Sequence, residues 1–169
     1  WFLESGRLAA RSIGEALERA GTGIEAVTSL LDFGCGCGRV IRHWRSLDGA
    51  VHGSDLDERA VAWCSANLPF SFSVNGLAPP LAHGDGSFEL VYALSVLTHL
   101  PEELQLAWID ELRRVLRPGG RLVLSTHGAR YRERLDPAEL DTFGAGELVT
   151  RRGEIAGSNL CTTFHPPSW

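Results

Sequence analysis

Short apolar segments alternate with amphipathic segments along most of this chain, and that alternation restricts the fold more than any other feature. Five short runs rich in apolar residues are predicted to be strands: 27–33, 50–55, 70–74, 88–94 and 121–126. Four further segments repeat apolar side chains near the helical spacing and are predicted to be helices: 3–20, 40–47, 58–68 and 101–116. Strands and helices that alternate over short links form a parallel sheet with helices on both faces. The sequence therefore predicts an α/β fold around five parallel strands.

The segment 129–169 does not continue the alternation. It contains one short predicted helix, 137–143, and a possible hairpin formed by 147–151 and 159–164. No linker separates it from the preceding part of the chain. We therefore expect residues 1–128 to form the ligand-binding domain and residues 129–169 to be an irregular extension of the same domain.

Composition and charge exclude several classes of function. The net charge is −5, and all 16 basic residues are arginine, which excludes Schiff-base lysine chemistry and a Walker-type lysine. These arginines are largely scattered, so the sequence indicates neither nucleic-acid binding nor a membrane surface. No apolar run approaches the ~20 residues that span a bilayer. The four cysteines lack a disulfide-framework spacing, which favours a reducing, cytoplasmic location.

The segment LLDFGCGCGRV, residues 30–40, follows the first predicted strand and allows several ligands. Cys35 and Cys37 have no second Cys/His pair at a zinc-site spacing, so no metal site is predicted. The nicotinamide fingerprint G-x-G-x-x-G would place its third glycine at Arg39. Asp32 also precedes the glycines, and its charge would oppose a pyrophosphate. A cationic ligand would instead gain from that carboxylate.

The fragment D-x-G-x-G-x-G at residues 32–38 resembles motif I of the class I, Rossmann-like S-adenosylmethionine-dependent methyltransferases. Four further segments resemble the later motifs of this family in the correct order: VHGSD (51–55), FSVNGL (72–77), FELVYALS (88–95) and LRPGGRLVL (116–124). The resemblance covers roughly residues 27–128. Phrases such as SVLTHLPEELQLAW resemble a bacterial subgroup of unknown substrate. The resemblance implies that S-adenosylmethionine is the cofactor.

The resemblance also implies which residues bind this cofactor. The loop would approach the methionine part with its backbone at Gly34, Cys35, Gly36 and Gly38. Asp32 would hold the loop and attract the amino group through water, or else only cap the loop. Backbone carbonyls would accept the ammonium group at Ala93 and Leu94, with Ser95 close by.

The nucleoside part would lie farther along the same crevice. Asp55 would bind the ribose hydroxyls, although it could instead cap the following helix, a task that suits Asp57 better. Leu56 and Leu77 would enclose the adenine, unless they are plain core residues. Asn75, followed by Gly76, stands where the family usually has an aspartate near the adenine amino group. Its amide oxygen can still accept one hydrogen bond.

No catalytic residue can be assigned from the sequence. Methyl transfer by in-line displacement depends mainly on proximity and orientation, and a general base is needed only for a hydroxyl or ammonium acceptor. His99 and His127 follow the fourth and fifth predicted strands and are candidates for such a base. Either histidine could instead serve only in packing.

The family fold has strand order 3-2-1-4-5 and usually adds two more strands, the last antiparallel beside the fifth. We find no such pair and expect five parallel strands in a truncated domain, whose exposed edge could pair with another copy of the chain. The predicted function is methyl transfer to an unidentified, small-molecule acceptor. The alternatives are a non-catalytic S-adenosylmethionine-binding module, an inactive fragment of a larger protein and, less favoured, an NAD-dependent oxidoreductase.

Overall fold

The computed structural model describes all 169 residues and contains one five-stranded parallel sheet. Its strands occur in the order β3-β2-β1-β4-β5, as predicted. They are β1 (Ser29–Phe33), β2 (Ala50–Asp55), β3 (Ser71–Val74), β4 (Phe88–Ala93) and β5 (Leu116–Leu124). The order reverses between β1 and β4, which defines a Rossmann-like, doubly wound sheet with a crevice at the carboxyl ends of these strands.

Helices cover both faces of this sheet because its central strands bury side chains in both directions. On β1, Leu30 contributes to one hydrophobic cluster and Leu31 to the other. The first cluster is covered by helices α1 (Phe2–Arg19) and α2 (Glu58–Asn67), and the second by α3 (Glu102–Val115). None of the helices combines the length and apolar character needed to cross a bilayer.

One predicted helix is wrong. Residues 40–47 form only a short 3₁₀ turn, Ile41–Trp44, instead of an α-helix. The buried residues Ile41 and Trp44 lie three positions apart, a spacing that a 3₁₀ turn satisfies as well as an α-helix. The Arg42 guanidinium donates back to the carbonyl oxygens of Cys37 and Gly38, at 2.9 and 2.7 Å, and so ties this turn to the glycine loop.

Strand β5 begins five residues earlier than the predicted position 121. Leu116 pairs with Phe88, but Arg121 pairs with Leu90, so the intervening Pro118-Gly119-Gly120 forms an irregularity at the edge of the sheet. The proline and the two glycines are accommodated within β5, because an edge strand need not pair every backbone group.

The segment 129–169 forms helix α4 (Pro137–Gly144) and a separate two-stranded antiparallel sheet, β6 (Val149–Arg151) and β7 (Thr162–Phe164). The predicted hairpin is therefore present, with shorter strands, and it does not extend the main sheet beside β5. The segment returns to the main domain, where the His165 amide donates to the His127 carbonyl oxygen and the Thr163 hydroxyl to that of Leu100. The division of the chain at residue 128 stays a prediction.

Candidate functional site

A cavity of about 620 Å³ opens at the carboxyl ends of β1, β2 and β4, where the strand order reverses. Nine of the predicted site residues line it: Gly34, Gly36, Asp55, Leu56, Asn75, Gly76, Leu77, Ser95 and His99. A smaller adjoining pocket of about 210 Å³ shares Gly34 and Gly36 and is lined by Asp32, Cys35 and Leu94. Gly38 and Ala93 line neither space. The sequence motifs thus converge on one crevice, although they are spread over more than sixty residues.

The glycine loop requires glycine for two different reasons. Gly34, Gly36 and Gly38 have φ values of 77°, 51° and 70°, which L side chains rarely adopt. A Cβ on Gly34 would lie 2.2 Å from Val96 Cγ2, whereas a Cβ on Gly36 would meet nothing within 4 Å. Gly34 is therefore fixed by packing as well as by conformation, and Gly36 leaves its backbone open to the cavity.

Cys35 of the loop and Cys64 of α2 act as small packing residues, whereas Cys37 is exposed. Cys35 is buried, and its burial raises the pKa of the thiol far above the usual range. Cys64, from α2, donates its thiol to the Gly36 carbonyl oxygen at 3.3 Å, and burial raises its pKa to about 11. Both thiols are therefore protonated and unreactive near neutral pH. The described chain contains no cluster of side chains arranged to hold a metal ion.

Asp55 joins the glycine loop to the start of α2. Its Oδ2 accepts the Gly36 N–H at 2.6 Å, and its Oδ1 accepts the Asp57 N–H at 2.9 Å. Asp57 itself caps α2 by accepting from the amides of Arg59 and Ala60, as predicted. Asp55 is therefore not the helix cap. Each of its carboxylate oxygens retains a second lone pair that can accept a hydrogen bond from the cavity.

Asp32 is buried at the centre of the sheet and lies beside Tyr92 of β4. The Tyr92 hydroxyl donates to Asp32 Oδ2 at 2.7 Å and accepts from the Trp44 indole N–H at 3.0 Å. Burial raises the pKa of Asp32 to about 7, against the opposing effect of the Tyr92 hydrogen bond. Tyr92 was not among the predicted site residues, although a lone tyrosine in an apolar central strand indicates a buried polar partner.

Asn75 is held from two sides. The Ser54 hydroxyl donates to its Oδ1 at 2.5 Å, and its Nδ2 donates to the Gly76 carbonyl oxygen at 2.8 Å. The amide orientation is thus fixed by neighbouring groups, with Oδ1 able to accept one more hydrogen bond.

Leu56 and Leu77 are not core residues, since 46% and 45% of their surfaces are exposed. They form two walls of a slot, which the backbone of Gly157 enters: a Cβ at Gly157 would lie 3.0 Å from Leu56 Cδ2 and 2.9 Å from Leu77 Cδ1. Trp108 of α3 is buried and also lines the cavity. Its indole N–H donates to the Leu77 carbonyl oxygen at 2.9 Å.

The C-terminal segment supplies three cavity residues that no sequence pattern predicted: Gly157, Ser158 and Asn159. The same segment holds His99, whose carbonyl oxygen accepts the Gly157 N–H at 2.8 Å and whose Nδ1 lies 2.7 Å from the Cys161 carbonyl oxygen. No local pattern marks these contacts, because they join residues about sixty positions apart.

The second candidate histidine, His127, lies outside the cavity. Its ring packs against Tyr131 and Phe164, with centroid separations of 4.2 and 5.7 Å. Burial lowers the pKa of His127, and the neighbouring His99 lowers it further. Of the two histidines, the structure therefore brings only His99 to the cavity wall.

A parallel sheet of order 3-2-1-4-5, a glycine loop after β1 and an acid at the end of β2 define a Rossmann-like nucleotide-binding protein. The model of one family, described as a methyltransferase domain, matches residues 31–124, which is more than half of the chain. The chain belongs to this methyltransferase-domain family.

Individual relatives agree with this assignment. An uncharacterized methyltransferase of Synechocystis is 35% identical over 54% of this chain and 43% of its own length. The chloroplastic tocopherol O-methyltransferase of Arabidopsis thaliana is 28% identical over 94% of this chain and 45% of its own length. This chain thus spans less than half the length of these two curated relatives. A crystal structure of a SAM-dependent methyltransferase from Methanosarcina mazei superposes with a TM-score of 0.61 at 22% identity, over 83% of this chain and 74% of that one, and supports the fold.

Proposed function

We propose that the protein is an S-adenosylmethionine-dependent methyltransferase that acts on a small-molecule acceptor. The observation that carries the proposal is the position of Asp55, whose two oxygens are oriented by Gly36 and Asp57 at the edge of the cavity. A carboxylate held in this way suits the cis-diol of a ribose, because it can accept a hydrogen bond from each hydroxyl.

The residues around Asp55 fit the remaining parts of the cofactor. Leu56 and Leu77 line the cavity with exposed apolar side chains against which the adenine can lie, and Asn75 Oδ1 can accept from its amino group. The glycine loop, including Cys35, and the β4 end at Ala93, Leu94 and Ser95 would take the methionine part. Gly38 supports the loop from behind, since a Cβ there would lie 2.5 Å from Leu68 Cδ1.

Charge also favours this cofactor over a dinucleotide. The cavity is lined by Asp55 and Asp57 and by no arginine, whereas the adjoining pocket is lined by both Asp32 and Arg39. The carboxylates of Asp55 and Asp57 attract a sulfonium and an ammonium group, whereas they would repel a pyrophosphate. The bound cofactor supplies an activated methyl group, so the protein needs mainly to orient the acceptor and exclude water.

The proposal also includes a cellular location and a contact between two copies of the chain. A reducing compartment such as the bacterial cytoplasm suits the four free thiols, of which three are buried. The outer edge of β5 pairs with no other strand, which leaves it available to a second copy of the chain.

Calorimetry with three ligands tests the proposal. We expect micromolar binding of S-adenosylmethionine and S-adenosylhomocysteine and no binding of NAD. Transfer of a tritiated methyl group to low-molecular-mass compounds then separates an enzyme from a non-catalytic binding module. Binding of NAD in preference to S-adenosylmethionine would contradict the proposal.

A further inference from the structure

The side chain of His99 lies where an acceptor could reach it. His99 ends a short 3₁₀ turn, Leu97–His99, after β4, and it lines the cavity together with Leu100 and Trp108. Gly157 and Cys161 of the C-terminal segment hold it from the other side. Both the backbone carbonyl and the imidazole ring of His99 are therefore held in place.

The contact with Cys161 defines the tautomer of His99. A backbone carbonyl oxygen can only accept a hydrogen bond, so Nδ1, at 2.7 Å from the Cys161 oxygen, must carry the proton. In the neutral ring, Nε2 then has a free lone pair. Nε2 has no hydrogen-bond partner within the protein, and the atom is exposed to solvent. It is therefore accessible as a base.

The charges of the cavity restrict the acceptor. Its titratable side chains are Asp55, Asp57, Cys37 and His99, and no arginine reaches it. An acceptor bearing a carboxylate or phosphate would meet two carboxylates and no permanent cation, which is unfavourable. An uncharged acceptor avoids this repulsion, and a hydroxyl acceptor would have to lose a proton during methyl transfer, which the base at His99 can take.

Resting on the proposed function above, we propose that the acceptor is an uncharged hydroxyl compound and that His99 Nε2 removes its proton. The acceptor oxygen forms a bond to the methyl carbon as its proton passes to Nε2, and the electron pair of the broken C–S bond stays on sulfur. The products are a methyl ether and S-adenosylhomocysteine, and His99 returns its proton to water. The Cys161 carbonyl positions the ring and stabilises the imidazolium that forms.

Substitution of His99 by asparagine separates its base from its structural contact. The asparagine amide nitrogen can replace Nδ1 as donor to Cys161, but it offers no base. With catechol as the uncharged probe, we expect methyl transfer to fall by a factor of about 10²–10⁴. We expect the affinity for S-adenosylhomocysteine to change less than about threefold, and the matched control His83→Asn to retain the wild-type rate, because His83 packs against His52 and Phe88, outside the cavity.

The pH profile distinguishes a base from a packing residue. The rate of the wild type should rise with pH through one ionisation, and His99→Asn should lose that rise. His127 follows β5 and interacts electrostatically with His99, and the C-terminal segment contributes the buried Cys161 thiol and Glu154. The double variant His127→Asn/His99→Asn should therefore match His99→Asn alone. A wild-type profile that persists without His99 would overturn the proposal.

Two further experiments test the tautomer of His99 and the chemical class of the acceptor. Nitrogen-15 spectra of the protein saturated with S-adenosylhomocysteine should show His99 protonated at Nδ1 and free at Nε2 in its neutral form, and the opposite tautomer would overturn the proposal. Benzoate should not be methylated, and preferential formation of its alkali-labile methyl ester over a catechol ether would also overturn it. Failure to bind S-adenosylhomocysteine would instead reject the proposed function itself.

Discussion

Asp55 and Gly36 are joined by a 2.6 Å hydrogen bond from the glycine amide to the carboxylate Oδ2. These residues belong to successive βα units, and their contact fixes the glycine loop after β1 against the end of β2, the neighbouring strand. The two structures that a Rossmann-like site needs, a tight loop and an acid, are therefore coupled in this protein before any ligand binds.

Replacing Asp55 by asparagine should weaken cofactor binding strongly. Asparagine has one acceptor oxygen where aspartate has two, so it cannot hold the Gly36 and Asp57 N–H groups and also accept from both ribose hydroxyls. We therefore expect the affinity for S-adenosylhomocysteine to fall at least ~100-fold, about 3 kcal/mol. Calorimetry measures this loss. Asp57→Asn is the matched control, because it removes the same charge nearby while asparagine still caps α2, and its affinity should remain within about threefold. Equal losses in both variants would mean that Asp55 acts only through its charge.

Gly34→Ala should destabilise the fold as well as the site. An alanine at φ 77° is strained, and its Cβ would meet Val96 Cγ2 at 2.2 Å. Together these effects should lower the free energy of unfolding by at least ~2 kcal/mol. Gly14→Ala is a matched control in α1, where a Cβ meets nothing within 4 Å, and it should raise stability by up to ~1 kcal/mol. Urea unfolding of the two variants tests the contrast, and an unchanged stability for Gly34→Ala would refute it.

The pKa of Asp32 predicts a loss of stability as the pH rises. Burial raises this pKa from an ordinary value of 3.8 to about 7, so the folded protein binds a proton more readily than the unfolded chain within that window. The contribution of Asp32 to the free energy of unfolding is therefore greatest below pH 4. It decreases as the pH rises to about 7, by a total of about 4 kcal/mol. Comparing wild type with Asp32→Asn by urea unfolding at pH 5 and pH 8 isolates this slope, which the variant should lack.

Tyr92→Phe provides a second check on the same pair. The Tyr92 hydroxyl lowers the pKa of Asp32 by donating to Oδ2, so its removal should raise that pKa further and make the variant lose more stability than the wild type between pH 5 and pH 8. An identical pH dependence in Tyr92→Phe and wild type would show that the hydroxyl does not stabilise the Asp32 carboxylate.

His165 should give the opposite pH dependence. It is 2% exposed, and burial lowers its pKa from 6.5 to about 4, so the unfolded chain binds the proton more readily. Its contribution is full above pH 6.5 and is lost as the pH falls towards 4, by about 3 kcal/mol. His165→Gln keeps a donor for the Gln105 Oε1, 2.9 Å from Nε2, but does not titrate. As the pH falls from 7 to 4.5, the free energy of unfolding of His165→Gln should decrease less than that of the wild type.

The sequence by itself determined that five strands form a parallel sheet, because each strand and helix carries its own apolar pattern and its own end signals. The strand order followed only from the family resemblance. Asp57 was identifiable as a cap, and the spacing of Gly34, Gly36 and Gly38 excluded a nicotinamide fingerprint. These are local properties, in which neighbouring residues fix the backbone conformation. The short turn at Ile41–Trp44 was mistaken for a helix because two core residues three positions apart satisfy both structures.

Only the tertiary structure decided which side chains share the crevice and how each is held. The sequence could not show that Tyr92 donates to Asp32, that Asp55 binds the Gly36 amide, or that Gly157 enters the slot between Leu56 and Leu77. Nor could it separate His99 from His127, since both follow strands that end at the same edge of the sheet. The path of residues 156–165 separates them: it brings a carbonyl oxygen to His99, while Phe164 packs against His127 away from the cavity. Such contacts join residues distant in sequence, so packing of the whole chain, and no local pattern, fixes them.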